Sequence, residues 1–285
     1  MQKKLTVVKT LLESIPYIKE FSNQIVVIKY GGAAQVNPVL KEQFAIDLLL
    51  MYLVGIKPII IHGGGKRISE LLSQLDITTK FVDGIRFTDE KSLKIVEMVL
   101  AGEINKELTA FLNHHGAKAI GLCGKDAGFF KAKPYKNGEL GYVGEITDIK
   151  SEVITNLVKD GFIPVIAPIA IGESANHPGY NINADTCASA IAGAIGAMRV
   201  IFLTDTPGVM DSQKNLLPTL TREEVGRFIY EGVIEGGMIP KVEACLSALS
   251  SGVQKAHIID GRIEHSILLE LFTDEGIGTQ ILKDN

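Results

Sequence analysis

Apolar positions along the chain follow two different rhythms. Ile25-Val26-Val27-Ile28, Pro58-Ile59-Ile60-Ile61 and Val200-Ile201-Phe202-Leu203 are short, nearly unbroken runs rich in β-branched residues, and 117–122, 162–171 and 256–259 resemble them. Such runs predict strands buried on both faces, as in a parallel sheet. Between them the apolar spacing turns helical. Helices are predicted over about 66–75, 89–115, 152–159, 185–197, 241–250 and 264–272. Gly116, Gly161 and Gly252 follow three of these helices as stop signals, and Pro240 opens the one that Gly252 closes. Thr221 and Glu224 have capping-box spacing for one more helix. Residues 129–149 read as a β-ribbon turning at Asn137-Gly138. Strands alternating with helices predict an α/β fold with an open, mostly parallel sheet sandwiched between helices.

The first twenty-odd residues stand apart. Leu5, Val8, Leu12 and Ile15 share one helical face, with Leu11, Ile18 and Phe21 beside it, and Pro16 should kink or break the helix. This helix precedes the first strand, so it either packs on its own core or reaches out as an oligomerisation arm; we favour the arm. The polar loop 172–179 marks a lobe boundary near residue 175. The expected organisation is therefore an arm over 1–22, a first lobe over 23–175 and a second over 176–285.

Composition narrows the partners. Lys and Arg number 29 against 33 Asp and Glu, a net charge of −4, so any positive potential must be local to a site. No basic block is present and aromatics are few, which argues against a nucleic-acid surface. Cys123, Cys187 and Cys245 are widely separated and form no Cys-x-x-Cys pair, so neither a zinc site nor a disulfide framework is expected. No apolar run reaches membrane-spanning length, and charges interrupt the N-terminal segment where a signal peptide would be apolar. A cytoplasmic protein is the expectation.

Candidate chemistry lies at the strand ends. Lys29 closes a buried strand and is followed by Gly31 and Gly32, whose backbone could approach an anion. His62-Gly63-Gly64-Gly65 repeats the arrangement and opens a helix, and helix N-terminal N–H groups bind anions. The glycine spacing is neither a dinucleotide fingerprint nor a phosphate loop of the Gly-Lys-Ser/Thr type. His62 itself reads as a packed or hydrogen-bonded residue. Lys241 occupies the first turn of a helix, where the dipole disfavours a cation by about 0.3–1 kcal/mol. A bound phosphate would reverse that sign. Asp185 should cap the helix that follows it and could also hold two lysines together. Arg86 offers a fork for a carboxylate. Such cations and N–H cradles suit phosphoryl transfer, which needs positioning and charge neutralisation more than a covalent nucleophile.

Lys29-Tyr30-Gly31-Gly32, the triple-glycine turn, Gly84-Ile85-Arg86-Phe87-Thr88, Asn181-Ile182-Asn183-Ala184-Asp185 and Gly236-Gly237-Met238-Ile239-Pro240-Lys241 occur in that order. With these motifs the whole chain resembles the amino acid kinase family, and within it the members that phosphorylate N-acetyl-L-glutamate. The resemblance implies that ATP is the donor, with Mg2+ carried on its phosphates rather than in a protein metal site. It implies that Lys29 and Lys241 stabilise the group in transfer and that Asp185 organises them. Gly64, Gly65, Arg86 and Asn181 would bind the acyl amino acid. Gly31, Gly32, Thr204, Asp205, Gly237 and Met238 would serve the nucleotide, with Pro207 stiffening the loop beyond Asp205. The helical arm and the C-terminal segment resemble those of arginine-inhibited hexamers built as trimers of dimers. Tyr17 from the arm, with His257, Glu270 and Gly276, would then contact arginine; the plain alternative for the C-terminal segment is an ordinary helix before a final loop. Three other readings stay open: a kinase for another acyl amino acid such as N-acetyl-aminoadipate, a non-catalytic arginine sensor, and, more weakly, a dehydrogenase.

Overall fold

The computed structural model describes residues 2–284. Its centre is an eight-stranded sheet of β1 (Ile25–Tyr30), β2 (Lys57–His62), β3 (Ala119–Cys123), β4 (Ile163–Ala167), β5 (Arg199–Thr204), β6 (Thr219–Thr221), β7 (Lys255–Asp260) and β8 (Thr279–Leu282). The spatial order is β6-β8-β7-β5-β1-β2-β4-β3. Strands β1 to β5 and β7 run parallel; β8 is antiparallel to β7 and parallel to β6. Strands from before residue 175 fill one side and those from after it the other, meeting at the β1–β5 pair.

Alternation along the strands divides the core into two layers. Val27, Ile59, Ile61, Val200 and Phe202 point to one face, where they meet the helices Ser151–Lys159, Ala184–Ala194 and Ile239–Ser250. Val26, Ile28, Ile60, Ile201 and Leu203 point to the other, against Pro38–Leu53, Asn105–His114 and Ser266–Leu271. Burial on both faces is why these runs contain almost no polar residues.

Four elements differ from expectation. Helix Pro38–Leu53 has no counterpart among the predicted elements: Leu48-Leu49-Leu50-Met51-Tyr52-Leu53 is apolar nearly all round, so it carries little period. Its start is nevertheless strong, with Asn37 accepting hydrogen bonds from Val39 and Leu40 N–H and Pro38 in the first turn. The long helix over 89–115 contains a π segment, Met98–Ile104, between Glu90–Glu97 and Asn105–His114. The ribbon pairs Phe130–Pro134 with Gly144–Ile149, so 135–143 is a longer loop; its positive φ values at Lys136, Asn137 and Gly138 turn the chain well before the second strand. The expected final loop contains strand β8.

The N-terminal segment forms Gln2–Glu13 and Ile15–Phe21, with Pro16 in the first turn of the second helix. Phe21 is buried, whereas Leu5, Val8, Leu11 and Leu12 are all at least half exposed. Pro38–Leu53 offers a test of the core. Leu48 is fully buried and Leu53 is 69% exposed. In urea unfolding, Leu48→Ala should cost about 2–5 kcal/mol and Leu53→Ala less than about 0.5 kcal/mol. Equal losses would contradict this placement of the helix.

Candidate active site

Lys29 is the penultimate residue of β1, paired in register with Ile61 on β2 and Phe202 on β5. From β1 the chain moves to β2 on one side; from β5 it moves to the edge strand β6 and then back to β7 on the other. This is a switch point of strand order, where the crevice beyond the strand ends takes ligands in open α/β sheets. The turn after β1 closes tightly. Gly32 has φ 65°, and a Cβ there would collide with Asp205 Oδ1, just past β5. Asp205 Oδ1 accepts a hydrogen bond from Ala33 N–H at 2.8 Å. Gly31, Gly32 and Asp205 therefore stand together across the seam.

Asp185 sits in the first turn of Ala184–Ala194, but Asn183 is the cap, accepting from the N–H groups of Asp185 and Thr186 at 2.9 and 3.1 Å. This corrects the expected capping role of Asp185. Either residue could cap by chemistry; with Asn183 doing so, the Asp185 carboxylate is released from the backbone. Its Oδ1 lies 3.0 Å from Lys29 Nζ and its Oδ2 lies 3.5 Å from Lys241 Nζ. The ion pair offsets the unfavourable dipole position of Lys241 at the start of Ile239–Ser250. Ser189 ties the two helices, donating to the Ala244 carbonyl at 2.7 Å. Burial alone would raise the Asp185 pKa, but the two ammonium groups outweigh it and hold the carboxyl below its ordinary range.

Two cavities meet at Lys29 and the 63–65 turn. One, about 220 Å³, also reaches Arg86, Asn181 and Asp185. Arg86 is 7% exposed, yet among the described residues no carboxylate pairs with it. Its guanidinium donates to Thr79 Oγ1, Ser69 Oγ and the Gly65 carbonyl at 2.7, 2.7 and 2.9 Å, and lies over the Phe81 ring. A buried cation held by neutral groups is poised for an anion. Asn181 Nδ2 donates to Thr88 Oγ1 at 3.2 Å. The other cavity, about 650 Å³, runs past Gly31, Gly32 and Asp205. Neither cavity includes Thr204, Gly237 or Met238. Thr204 is buried at the end of β5, while Gly237 and Met238 form the 3₁₀ turn Gly236–Met238 ahead of the Lys241 helix. His62 is fully buried, and burial pulls its pKa down to about 4, so it stays neutral. Among the described residues no group of three or more His, Cys, Asp or Glu could hold a metal ion.

A third cavity, about 210 Å³, gathers Tyr17, His257, Glu270 and Gly276 with Arg199 and Asp274. His257 Nδ1 lies 2.6 Å from Glu270 Oε1, while Glu270 Oε2 accepts from Ile277 and Gly278 N–H at 2.7 and 3.1 Å. Burial would raise the Glu270 pKa, but His257 and the two N–H groups pull it down. Burial lowers the His257 pKa below the ordinary imidazole value despite the carboxylate. Its Nε2 is buried without a partner. Several contributors were absent from the expectation. Asn183 carried a usable signal, as a residue of cap type two positions before Asp185. Ser69, Thr79 and Arg199 carried none, because only the fold brings them to their sites.

The crevice at a sheet switch point, with two lysines on one carboxylate and a buried guanidinium nearby, is suited to gathering anions, as a phosphotransferase requires. The chain matches the amino acid kinase family over residues 24–260. It belongs to that family and is a kinase. It is 61% identical over 284 residues to the acetylglutamate kinase of Wolinella succinogenes, covering 100% of both chains. It is 62% identical over 281 residues to that of Nautilia profundicola, covering 99% of each. Among solved structures it is similar to N-acetylglutamate synthase of Neisseria gonorrhoeae complexed with coenzyme A and N-acetyl-glutamate, with TM-score 0.86 and 25% identity over 98% of this chain but 64% of that one. Carbamate kinase of Giardia lamblia bound to AMP-PNP shares the fold, with TM-score 0.69 and 16% identity over 93% of this chain and 100% of that one.

The Asp185 pair implies a pH signature. A carboxyl whose pKa falls on folding contributes stability above its unfolded value and loses it as pH drops through the folded one. The stability difference between wild type and Asp185→Asn, measured by urea unfolding, should be largest near neutrality and shrink below about pH 4. A difference that is constant from pH 7 to pH 3 would contradict the ion pair.

Proposed function

We propose that the chain transfers the γ-phosphoryl group of ATP to the γ-carboxylate of N-acetyl-L-glutamate, forming ADP and an acyl phosphate in arginine synthesis. The observation that carries this reading is the convergence of Lys29 and Lys241, from opposite sides of the sheet seam, on Asp185 beside the Arg86 cavity. The attacking carboxylate is already ionised at neutral pH, so no general base is required. The obstacle is repulsion between two anions. Lys29 and Lys241 neutralise the equatorial oxygens, and N–H groups of Gly64 and Gly65 add fixed dipoles. Arg86 takes the α-carboxylate of the substrate and Asn181 its acyl amide. Asp185 holds the lysines apart and in place without touching the transferred group. The nucleotide lies along the β5 side, its phosphates against Gly31 and Gly32 and the rest near Thr204, Asp205, Gly237 and Met238. A Mg2+ arriving on the ATP phosphates would spread their charge; among the described residues no group of three or more His, Cys, Asp or Glu could hold it, and Asp205, on the turn beside Gly32, would be the carboxylate nearest the nucleotide phosphates. The three cysteines are free and buried, in keeping with a reducing cytosol.

ATP-dependent acyl-hydroxamate formation tests the reaction. Wild-type protein should give product with N-acetylglutamate and a clearly lower kcat/KM with N-acetyl-aminoadipate. Lys241→Met should lower kcat by about 10²–10³ with a much smaller change in the acyl amino acid KM. Wild-type protein without product would overturn the kinase reading in favour of a sensor, and preference for the longer substrate would reassign it.

A second reading rests on the third cavity. Glu270 is an ionised fork for a guanidinium, His257 Nε2 lacks a partner, and Tyr17 reaches the same space from the arm, donating to Asp274 at 2.5 Å. We propose feedback inhibition by arginine here, with the exposed leucines of 2–13 assembling dimers into a hexamer. Removing residues 1–22 should reduce the mass seen by light scattering and abolish arginine inhibition, and Glu270→Ala should abolish inhibition alone. A truncated protein of unchanged size and sensitivity would refute both.

A further inference from the structure

The π segment Met98–Ile104 interrupts a helix whose pattern reads as regular. Buried positions are Ser92, Leu93 and Val96 before the π segment, Val99 and Leu100 within it, and Asn105, Leu108 and Leu112 after it. The step from Leu100 to Asn105 is five residues, where an α-helix would place the next inward position at 103 or 104. The wide turn lets both sides of the break face the glycine turn after β2. Leu100 and Ile104 press on Gly64, where an added Cβ would lie 2.6 Å from a methyl of each. Asn105 is rotated onto the end of β2 and is fully buried.

Asn105 Nδ2 donates to His62 Nε2 at 3.1 Å and to the Val165 carbonyl at 2.8 Å, and its Oδ1 accepts from Lys106 Nζ at 3.1 Å. Because His62 Nε2 accepts, the neutral ring carries its proton on Nδ1, which donates to the Gly63 carbonyl at 3.0 Å. Gln35 Nε2 donates to the same carbonyl at 3.0 Å, and Gly63 N–H donates to the Tyr30 carbonyl at 2.9 Å. The Gly63 peptide is thus held at both ends, and the chain leaves it directly into Gly64 and Gly65.

We propose that Asn105 is a positioning residue for phosphoryl transfer: delivered by the π turn, it fixes the tautomer of His62, which fixes the Gly63 carbonyl and so aims the N–H groups of Gly64 and Gly65 at the reacting anions. Neither Asn105 nor His62 touches substrate. The arrangement accounts for a buried histidine and a buried amide at the strand end and for the break in helical register beside them. π turns recur at functional sites, and a misplacement of about 1 Å at a cradle costs about 10²-fold in rate.

This inference rests on the kinase reading, and the test separates the two. In the hydroxamate assay Asn105→Leu, close in shape but without a donor, should lower kcat by about 10- to 100-fold while circular dichroism and Tm show a folded protein. Two His62 variants test the relay itself and also serve if Asn105→Leu does not fold. Asn at 62 keeps an amide donor near the Nδ1 position, whereas Gln places its amide near the Nε2 position. His62→Asn should therefore retain at least about tenfold more activity than His62→Gln at comparable Tm. In wild-type protein, nitrogen-15 shifts should report a neutral His62 protonated on Nδ1. Wild-type kcat in a folded Asn105→Leu, equal activities of the two His62 variants, or protonation on Nε2 would overturn the relay. If wild-type protein gives no acyl phosphate, it is the kinase reading that fails.

Discussion

The site depends on one carboxylate holding two cations. Without Asp185, Lys29 and Lys241 would stand as like charges at a partly buried seam, each costing desolvation with nothing to offset it. With it, two halves of the sheet are joined electrostatically at the point where their strand orders diverge. The backbone around the carboxylate is arranged to leave it available: Asn183 satisfies the helix N-terminus, so Asp185 is not used there. Removing one lysine leaves a neutral Lys–Asp pair with no surplus positive charge, and removing the aspartate leaves both lysines repelling. The three side chains are therefore a unit.

The surroundings of that unit follow the same economy. Gly32 must be glycine because its φ is positive and a side chain would strike Asp205. A side chain at Gly64 would meet the terminal methyls of Leu100 and Ile104 and force them to shift. Arg86 is kept free of acidic partners by Thr79, Ser69 and a carbonyl, so its charge remains for an incoming anion. The C-terminal cavity carries the opposite sign, with the Glu270 carboxyl held below its ordinary range by His257 and two N–H groups.

Much of this was legible in the sequence. β1, β2, β5 and β7 announce themselves because burial on two faces leaves runs that are almost entirely apolar, His257 in β7 being an exception. Lys29 and Lys241 stood out because each breaks a local rule, a cation closing a buried strand and a cation at a helix start. The four proposed arginine contacts line one cavity, although Tyr17 and Gly276 are far apart in the chain. What escaped did so for physical reasons. Helix Pro38–Leu53 is too uniformly apolar to show a period. The π turn shifts register by one residue, which a pattern sampled every 3.6 residues absorbs silently. Strand β8 is short and pairs only through tertiary context. Capping by Asn183 rather than Asp185 is a choice between two competent residues, settled by the lysines that claim the carboxylate.

Coupling between the lysines tests the central claim most directly. Single-turnover rates of phosphoryl transfer for Lys29→Met, Lys241→Met and the double variant form a thermodynamic cycle. If the two act as a unit through Asp185, the double variant will be little slower than the slower single one. Losses that multiply would show two independent cations and contradict the account.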